Sequence, residues 1–138
     1  MQPQVMISSR PQDAYRRQDI LTANSVDLIV MLYDALKKNI VLGKRAIMKK
    51  DPQSAHKHLM KAQDIVSELM KSLDMNYEIS DELLSIYSYA LRNLAEANIK
   101  KDAEPLTPVL EMVDELRDAW KQVSGQVRGN TQWREELA

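Results

Sequence analysis

The feature that most constrains the fold is a regular apolar seam between residues 52 and 73. It consists, at alternating spacings of four and three residues, of Ala55, Leu59, Ala62, Val66, Leu69 and Leu73. This spacing places every member on one face of an α-helix, and such a face is normally buried against other helices. Asp51 and Pro52, just before the seam, are typical of an N-cap and of the first helical position. The seam therefore predicts a packed helix that starts at Pro52.

Three further segments have helical periods. We expect a first helix from near Ser25, capped by Asn24 or Ser25, to about Lys49. The third helix is predicted from about Ser80 to Lys101. It has one stripe of Ile79, Leu83, Ile86, Ala90, Leu94 and Ala97, and a second of Leu84, Tyr87, Leu91 and Ala95. Along the sequence, one predicted helix therefore precedes the seam helix and another follows it, each joined to it by a short link.

The fourth helix has two candidate starts, one capped by Asp102 and one capped by Thr107 ahead of Pro108. Gly125 and Gly129 are expected to end it. Its apolar series is Val109, Val113, Leu116, Trp120 and Val123, and we interpret Trp120 as a core residue.

Together these segments predict an all-α, antiparallel four-helix bundle. The 138 residues include only three glycines and five prolines, which favours long helices over a sheet with many turns. We expect residues 1–22 to form a flexible N-terminal arm, residues 23–124 the bundle and residues 125–138 a C-terminal tail.

Composition excludes several classes of protein. The chain has no cysteine, so it can form neither a disulfide framework nor a thiolate metal site. Its formal charge of −1 is unlike that of a general nucleic-acid binder. No apolar run approaches the ~20 residues that a membrane span needs. The polar start of the chain is not that of a secretory signal, and we expect a cytoplasmic protein.

The sequence offers few groups for catalysis or for metal binding. His56 and His58 are the only histidines, and two residues apart on a helix they point in nearly opposite directions. We expect both to be solvated. No Glu-x-x-His pair and no phosphate-binding glycine loop is present, so we predict a non-enzymatic protein without cofactor or metal. A histidine phosphotransfer bundle, with phosphate carried on His58, is the alternative from another class.

The chain has more apolar surface than a four-helix bundle needs to bury. Residues 28–33 are apolar nearly all round the first helix, and the third helix has two stripes. Methionine side chains repack easily, and those that suit an adaptable groove are Met31, Met48, Met60, Met70 and Met112. Either the arm or a partner helix is expected to cover this surplus.

Three blocks of residues follow one another between about Tyr15 and Val123. The first comprises Ala14, Tyr15, Leu21, Thr22, Ala23 and the run from Leu28 to Asp34; the second runs from Lys61 to Leu69, with Ser72, Leu73 and Asp74. The third runs from Leu94 to Asp102, followed by residues 116–120. In these blocks, taken in order, the sequence resembles the flagellin-specific export chaperones of the FliS family. Asn24 stands before Ser25 where the family commonly has Ser-Pro, and the link after Met75 lacks the frequent Gly-Gly pair and is shorter.

The resemblance implies a cytoplasmic chaperone that binds the disordered C-terminal segment of newly made flagellin. By this account the chaperone prevents premature polymerisation and delivers flagellin to the flagellar type III export apparatus. Further implied partners are the export gate and other flagellar regulators, and the free protein is expected to be a monomer or a weak homodimer. A helix-binding bundle with another client is a further alternative.

The resemblance also suggests residues that contact the client. Those from the arm are Tyr15, Ile20 and Leu21; those from the helices are Tyr33, Tyr87, Leu91 and Leu94. For the four helical residues, an ordinary place in the core is an equally good interpretation. Asn98 and Asp102 are interpreted as structural residues at a helix end.

Overall fold

The computed structural model describes the backbone of residues 23–137 and the side chains of residues 26–123, 125 and 126. Its four helices are α1 (Ala23–Met48), α2 (Pro52–Lys71), α3 (Glu78–Lys100) and α4 (Leu106–Leu137). The predicted all-α fold of four packed helices is confirmed. The predicted arm, residues 1–22, lies outside the described residues.

The seam on α2 is buried as the sequence predicted. Asp51 caps the helix, because its Oδ1 accepts the Ser54 amide at 3.2 Å, and Pro52 takes the first helical position. The five seam residues within α2 are buried: Ala55, Leu59, Ala62, Val66 and Leu69. Leu73 follows the end of the helix and is half-buried.

The starts of α1 and α3 differ from the prediction. α1 begins at Ala23, so Asn24 and Ser25 lie inside it rather than ahead of it. α3 begins at Glu78 rather than Ser80, with Glu78 and Asp81 in its first turn, where carboxylates favour the positive end of the helix dipole. Ile79, assigned to the buried stripe, is 59% exposed, so that assignment was wrong. Position 79 lies in the first turn of α3, one residue from the helix start.

α4 begins at Leu106 and continues through Gly125 and Gly129 to Leu137. Neither predicted cap precedes it directly, and the predicted end at Gly125 was wrong. Pro108 falls in the first turn, where the amide that proline lacks would have no helical partner. A glycine inside a helix costs about 1 kcal/mol, which lowers stability without ending the helix.

The chain forms two compact units, of which the larger is residues 32–117. The smaller contains the described residues up to Met31 and those from Asp118 onward. In the smaller unit Val26 is buried and Met31 is 64% exposed. Trp120 is half-buried there, so its assignment to the core was wrong.

Within residues 32–117, side-chain contacts fix the directions of the helices. Lys37 Nζ lies 2.7 Å from Asp114 Oδ1, and Arg117 pairs with Asp34, so α1 and α4 run antiparallel. Each of the two helices thus supplies one cation and one carboxylate to these pairs. The largest fully buried side chains of this unit include Leu36, Ile40, Leu59, Leu94, Leu106 and Val109.

The links at the ends of α1 and α3 use a conformation that is rare for lysine. Lys50 and Lys101 have φ angles of 59° and 51°, in the left-handed region. After α1 the Asp51 amide donates to the Ala46 carbonyl at 2.9 Å, and after α3 the Asp102 amide donates to the Ala97 carbonyl at 3.1 Å. Both helices therefore close with the Schellman-type bond, with lysine at the position that glycine usually occupies.

Among the described residues, no helix is both long and apolar enough to cross a lipid bilayer.

Candidate functional site

The structure separates the residues predicted to contact a client. Tyr15, Ile20 and Leu21 lie outside the described residues. Tyr33 and Leu94 are fully buried and Tyr87 is 4% exposed, whereas Leu91 is half-buried at the surface. Of the four helical residues, Leu91 alone is positioned to touch a partner without a rearrangement of the core.

Tyr33 and Tyr87 form a polar contact between α1 and α3 in the interior, through a hydrogen bond between their hydroxyl groups. Burial raises the pKa of Tyr87 well above its ordinary value, and the hydrogen bond and charge of Tyr33 act in the same direction. The Tyr87 hydroxyl is therefore neutral and is stabilised by its partner. A buried hydroxyl without a partner would be costly, which explains why the two lie together.

A hydrogen bond between α2 and α3 defines their outer junction. Asn98 Nδ2 lies 3.0 Å from His56 Nδ1. Because His56 is near the start of α2 and Asn98 near the end of α3, the two helices run antiparallel, and they pack along their length.

Two rows of side chains extend from this hydrogen bond along the junction, each at spacings of four and three residues, which keeps a row on one helix face. The α2 row is His56, Met60, Gln63, Ser67 and Met70. The α3 row is Asn98, Ala95, Leu91, Ser88 and Leu84. Apart from exposed His56 and Met60 and buried Asn98, all of them are half-buried. We call this junction, lined by the two rows, the α2–α3 groove.

The α2–α3 groove has the composition of a surface that accepts an apolar helix. Leu84, Leu91, Met60 and Met70 supply apolar surface, and the thioether side chains adapt to different shapes. The small side chains Ser67, Ser88 and Ala95 leave room for a partner to approach. These features match helix-in-groove recognition, in which a few apolar anchors are buried between two helices.

Two histidine–asparagine pairs fasten α2 to its neighbours. Lys101 Nζ donates to Asn98 Oδ1 at 2.7 Å, so Asn98 turns its amide nitrogen to His56, whose Nδ1 accepts. The hydrogen-bond network thus assigns the ring proton of neutral His56 to Nε2. Asn98 acts at the helix end, as the sequence suggested.

The second pair involves His58 and α1. Asn39 Nδ2 donates to the Ala35 carbonyl at 2.8 Å, which leaves Asn39 Oδ1 to accept from His58 Nδ1 at 3.3 Å. His58 is half-buried, unlike the solvated side chain that was expected; His56 is exposed, as expected. The hydrogen bond to Asn39 uses Nδ1 of His58 and not Nε2, and it holds the ring against α1.

Gly43 brings α1 close to α2. A Cβ atom added at this position would lie 2.7 Å from Leu59 Cδ2 and 2.8 Å from Leu59 Cγ. Leu59 is fully buried and cannot swing away. The sequence contained a signal for this contact, since Gly43 interrupts an otherwise uniform helical segment.

Sequence reasoning missed the partners of the two histidines and of the two buried tyrosines. The row that joins His56 to Met70 was visible as a period of three and four residues, but its neighbour on α3 could not be identified without the packing. Among the described side chains, no group of three or more carboxylates and histidines could hold a metal ion.

Comparisons with known proteins agree on one family. A sequence model described as "FliS: Flagellar protein FliS" matches residues 8–127. The chain is 38% identical over 117 residues to the flagellar secretion chaperone FliS of Bacillus subtilis (strain 168), with 85% of this chain and 88% of that protein covered. It is 30% identical over 108 residues to the flagellar secretion chaperone FliS of Salmonella typhimurium, with 76% and 80% covered.

Proposed function

The chain belongs to the FliS family of flagellar proteins, and from this membership we propose that it is a flagellar secretion chaperone that binds flagellin for export. The α2–α3 groove connects this proposal with particular residues, because its half-buried apolar rows suit a helical client segment. The proposed activity is binding rather than catalysis, and its site of action is the cytoplasm.

We propose that the client segment is the C-terminal part of flagellin, disordered when free and helical when bound. Folding on binding lets a client bury a long apolar face while the loss of chain entropy limits the affinity. A chaperone that must release its client benefits from that limit. Leu91 and Met60 then act as contacts from the two sides of the groove.

In this proposal the buried side chains support the groove from inside and do not form its surface; they are Tyr33, Tyr87 and Leu94. Their burial holds α3 against α1, which positions the half-buried residues of α3, including Leu91. A direct contact with the client would require these three side chains to leave the interior.

The predicted arm supplies the remaining client residues of the proposal. Tyr15, Ile20 and Leu21 occupy the client surface in the free protein and either move aside or contact the client again when flagellin binds. A chain lacking residues 1–20 is then expected to bind a C-terminal flagellin fragment with changed affinity, tighter if the arm moves aside and weaker if it contacts the client, as measured by isothermal titration calorimetry. Unchanged affinity would show that the arm does not compete with the client.

The proposal extends to delivery of the client to the flagellar type III export apparatus, with contacts to the export gate and to other flagellar regulators. The free chain is proposed to be a monomer or a weak homodimer. Light scattering across a range of protein concentrations measures that state directly.

The central experiment mixes the full chain with a C-terminal flagellin fragment and measures the mass by size-exclusion chromatography with light scattering. We expect a 1:1 complex that is lost when the fragment is truncated. Leu91→Asp and Met60→Asp place a carboxylate in the groove and are expected to weaken the complex at least about tenfold, because burying an unpaired charge is costly.

Tyr89→Asp is the matched control for these variants. Tyr89 is 40% exposed, and it lies two residues from Leu91 on α3 and therefore faces away from the groove. Met60 is 39% exposed, so its variant is expected to fold even if Leu91→Asp loses stability. If Met60→Asp binds the fragment as tightly as Tyr89→Asp does, the client does not lie in the α2–α3 groove.

A further inference from the structure

The sequence carries the same four-residue pattern at the ends of two helices. An apolar residue, two lysines and an aspartate occur at residues 48–51 and again at residues 99–102. In both copies the second lysine has a left-handed backbone, and the aspartate amide closes the helix. Neither the α2–α3 groove nor the proposed client contacts use this pattern.

The fold brings the two copies together. Lys50 and Lys101 line one surface pocket of about 390 Å³, together with Ile47, Asp51 and Pro52. The two copies meet because α1 and α3 run in the same direction, so that their C-termini lie at the same end of the helix bundle formed by residues 32–117. We call this surface, residues 47–52 with residues 99–102, the dilysine end.

At the dilysine end both aspartates have hydrogen-bond partners, whereas some of the lysines have no ion-pair partner in the described part of the chain. Asp51 accepts the Ser54 amide, and Asp102 accepts the Glu104 amide at 3.0 Å, so both carboxylates serve their own turns. Lys100 Nζ is 3.6 Å from Glu96, and Lys101 Nζ contacts Asn98. Lys49 and Lys50 form no ion pair with another described residue. The surface therefore has an excess of available positive charge.

Lysine is a costly choice of residue at the left-handed positions 50 and 101. An L-residue in this region costs roughly 1–2 kcal/mol, and glycine would avoid that cost. Residues in such conformations are concentrated at functional sites. Lysine occupies the left-handed position at both helix ends that line the pocket.

Exposed apolar side chains complete the surface. Ile99 is 81% exposed, the most of any large apolar side chain in the described part of the chain, and Met48 is 69% exposed. Each directly precedes its lysine pair. Positive charge next to exposed apolar side chains is complementary to a segment that combines carboxylates with apolar anchors.

We propose that the dilysine end is a docking surface for an acidic segment of a partner protein, with apolar residues of that segment against Ile99 and Met48. Nucleic acid fits less well, because the chain has a net charge of −1 and two aspartates flank the lysines. This surface shares no residue with the groove proposed for the client, although it adjoins the Asn98 end of that groove through Lys101.

The test uses a short fluorescein-labelled peptide in which leucines are flanked by aspartate and glutamate, and measures its binding to the full chain by fluorescence anisotropy. Binding is expected, with affinity that falls as salt rises, and with amide shifts in NMR spectra at residues 47–52 and 99–102. The same peptide with asparagine and glutamine in place of the acids is expected to bind at least about tenfold more weakly.

Two variants locate the contact. Lys49→Gln/Lys50→Gly/Lys100→Gln removes three ammonium groups, while the glycine relieves the backbone at position 50, and is expected to weaken peptide binding about tenfold. Its control, Lys38→Gln/Lys61→Gln/Lys71→Gln, removes three exposed or half-exposed ammonium groups elsewhere. Ile99→Gln is expected to weaken binding several-fold, and Ile79→Gln, its exposed counterpart near the start of α3, to leave it unchanged.

Three results would overturn the proposal. One is equal peptide affinity of the two triple-lysine variants, and another is tighter binding to single-stranded RNA or to phosphatidylserine vesicles than to the peptide. The third is loss of flagellin-fragment binding in the dilysine variant, which would assign this surface to the client. If instead the fragment fails to bind the unaltered chain while the acidic peptide binds, the proposed function fails and the dilysine end stands.

Discussion

At the scale of single residues, the packing of the helices depends on a few side chains whose neighbours come from other helices. Gly43 permits the contact with Leu59 and thus the approach of α1 to α2. Tyr33 and Tyr87 satisfy each other in the interior, and His56 accepts from Asn98 at one end of the α2–α3 groove. Each of these residues is ordinary in its own segment and acquires its role from a distant one.

Gly43→Ala is expected to lower the free energy of unfolding by about 1–3 kcal/mol, although alanine is the better helix former. The added methyl would overlap the buried side chain of Leu59. Chemical denaturation followed by circular dichroism measures the change. Gly125→Ala is the control: beyond its own stretch of helix, no atom of the described residues lies within 4 Å of its added Cβ, and a gain of up to about 1 kcal/mol is expected. A stabilised Gly43→Ala would mean that the helices have room to separate.

The raised pKa of Tyr87 predicts a loss of stability at high pH. A tyrosine ordinarily ionises near pH 10, and Tyr87 keeps its proton to a higher pH when folded than when unfolded. Its contribution is therefore complete below about pH 10 and declines above it, by up to about 1.4 kcal/mol per pH unit. Denaturation curves from pH 8 to 11 are expected to show this decline reduced in Tyr87→Phe. Tyr89→Phe, at an exposed position, should retain it in full.

At the scale of elements, the helix ends show where local signals in the sequence set a helix boundary and where they do not. α2 starts where Asp51 and Pro52 predict, because both act through local backbone groups. α1 and α3 end at lysines in a left-handed conformation that no sequence signal marks as strongly as glycine does. α4 passes through two glycines because their cost is small compared with the gain from a continued helix.

Lys50→Gly is expected to raise the free energy of unfolding by about 1 kcal/mol, since glycine adopts a φ of 59° without strain. Lys101→Gly should gain less, because it also loses the contact of Lys101 Nζ with Asn98. Thermal and chemical denaturation measure both changes. Lys49→Gly, one position earlier and without a positive φ, is the control and is expected to lose stability slightly. Equal effects at positions 49 and 50 would contradict the strain argument.

At the scale of the whole molecule, packed helices leave apolar surface that the chain does not cover with its described residues. The α2–α3 groove and the dilysine end lie on different parts of this surface and differ in chemistry. The first is apolar with small side chains between methionines and leucines, and the second is positively charged around exposed Met48 and Ile99. The two proposed surfaces therefore call for partners of different chemistry, an apolar helix for the first and an acidic segment for the second.

Binding of the client is expected to stabilise the whole fold. A flagellin fragment that binds the folded chain alone, at a free concentration about 100-fold above its dissociation constant, adds about 2.7 kcal/mol. For a chain of this length the melting temperature then rises by roughly 9 °C. Differential scanning fluorimetry is expected to show this rise for the unaltered chain and for Tyr89→Asp, and a smaller rise for Met60→Asp. A rise of the same size in all three would place the client elsewhere.

The sequence by itself determined the number and order of the helices, the seam on α2 and the class of the protein. Spacings of three and four residues define a buried face without reference to any partner, and caps such as Asp51 act within one turn. The blocks that resemble FliS proteins are likewise local in sequence. The sequence did not single out Leu91 as a surface residue, because buried Tyr87 belongs to the same stripe on α3.

Tertiary structure alone decided which apolar residues are covered and which remain at the surface. Tyr33, Tyr87 and Leu94 had equal claims to core and to client surface, and the packing of the helices buried them. Only that packing paired His56 with Asn98 and brought Lys50 and Lys101 to one pocket. The physical reason is that periodicity specifies a face of one helix, whereas burial depends on the distance and direction of the helices beside it.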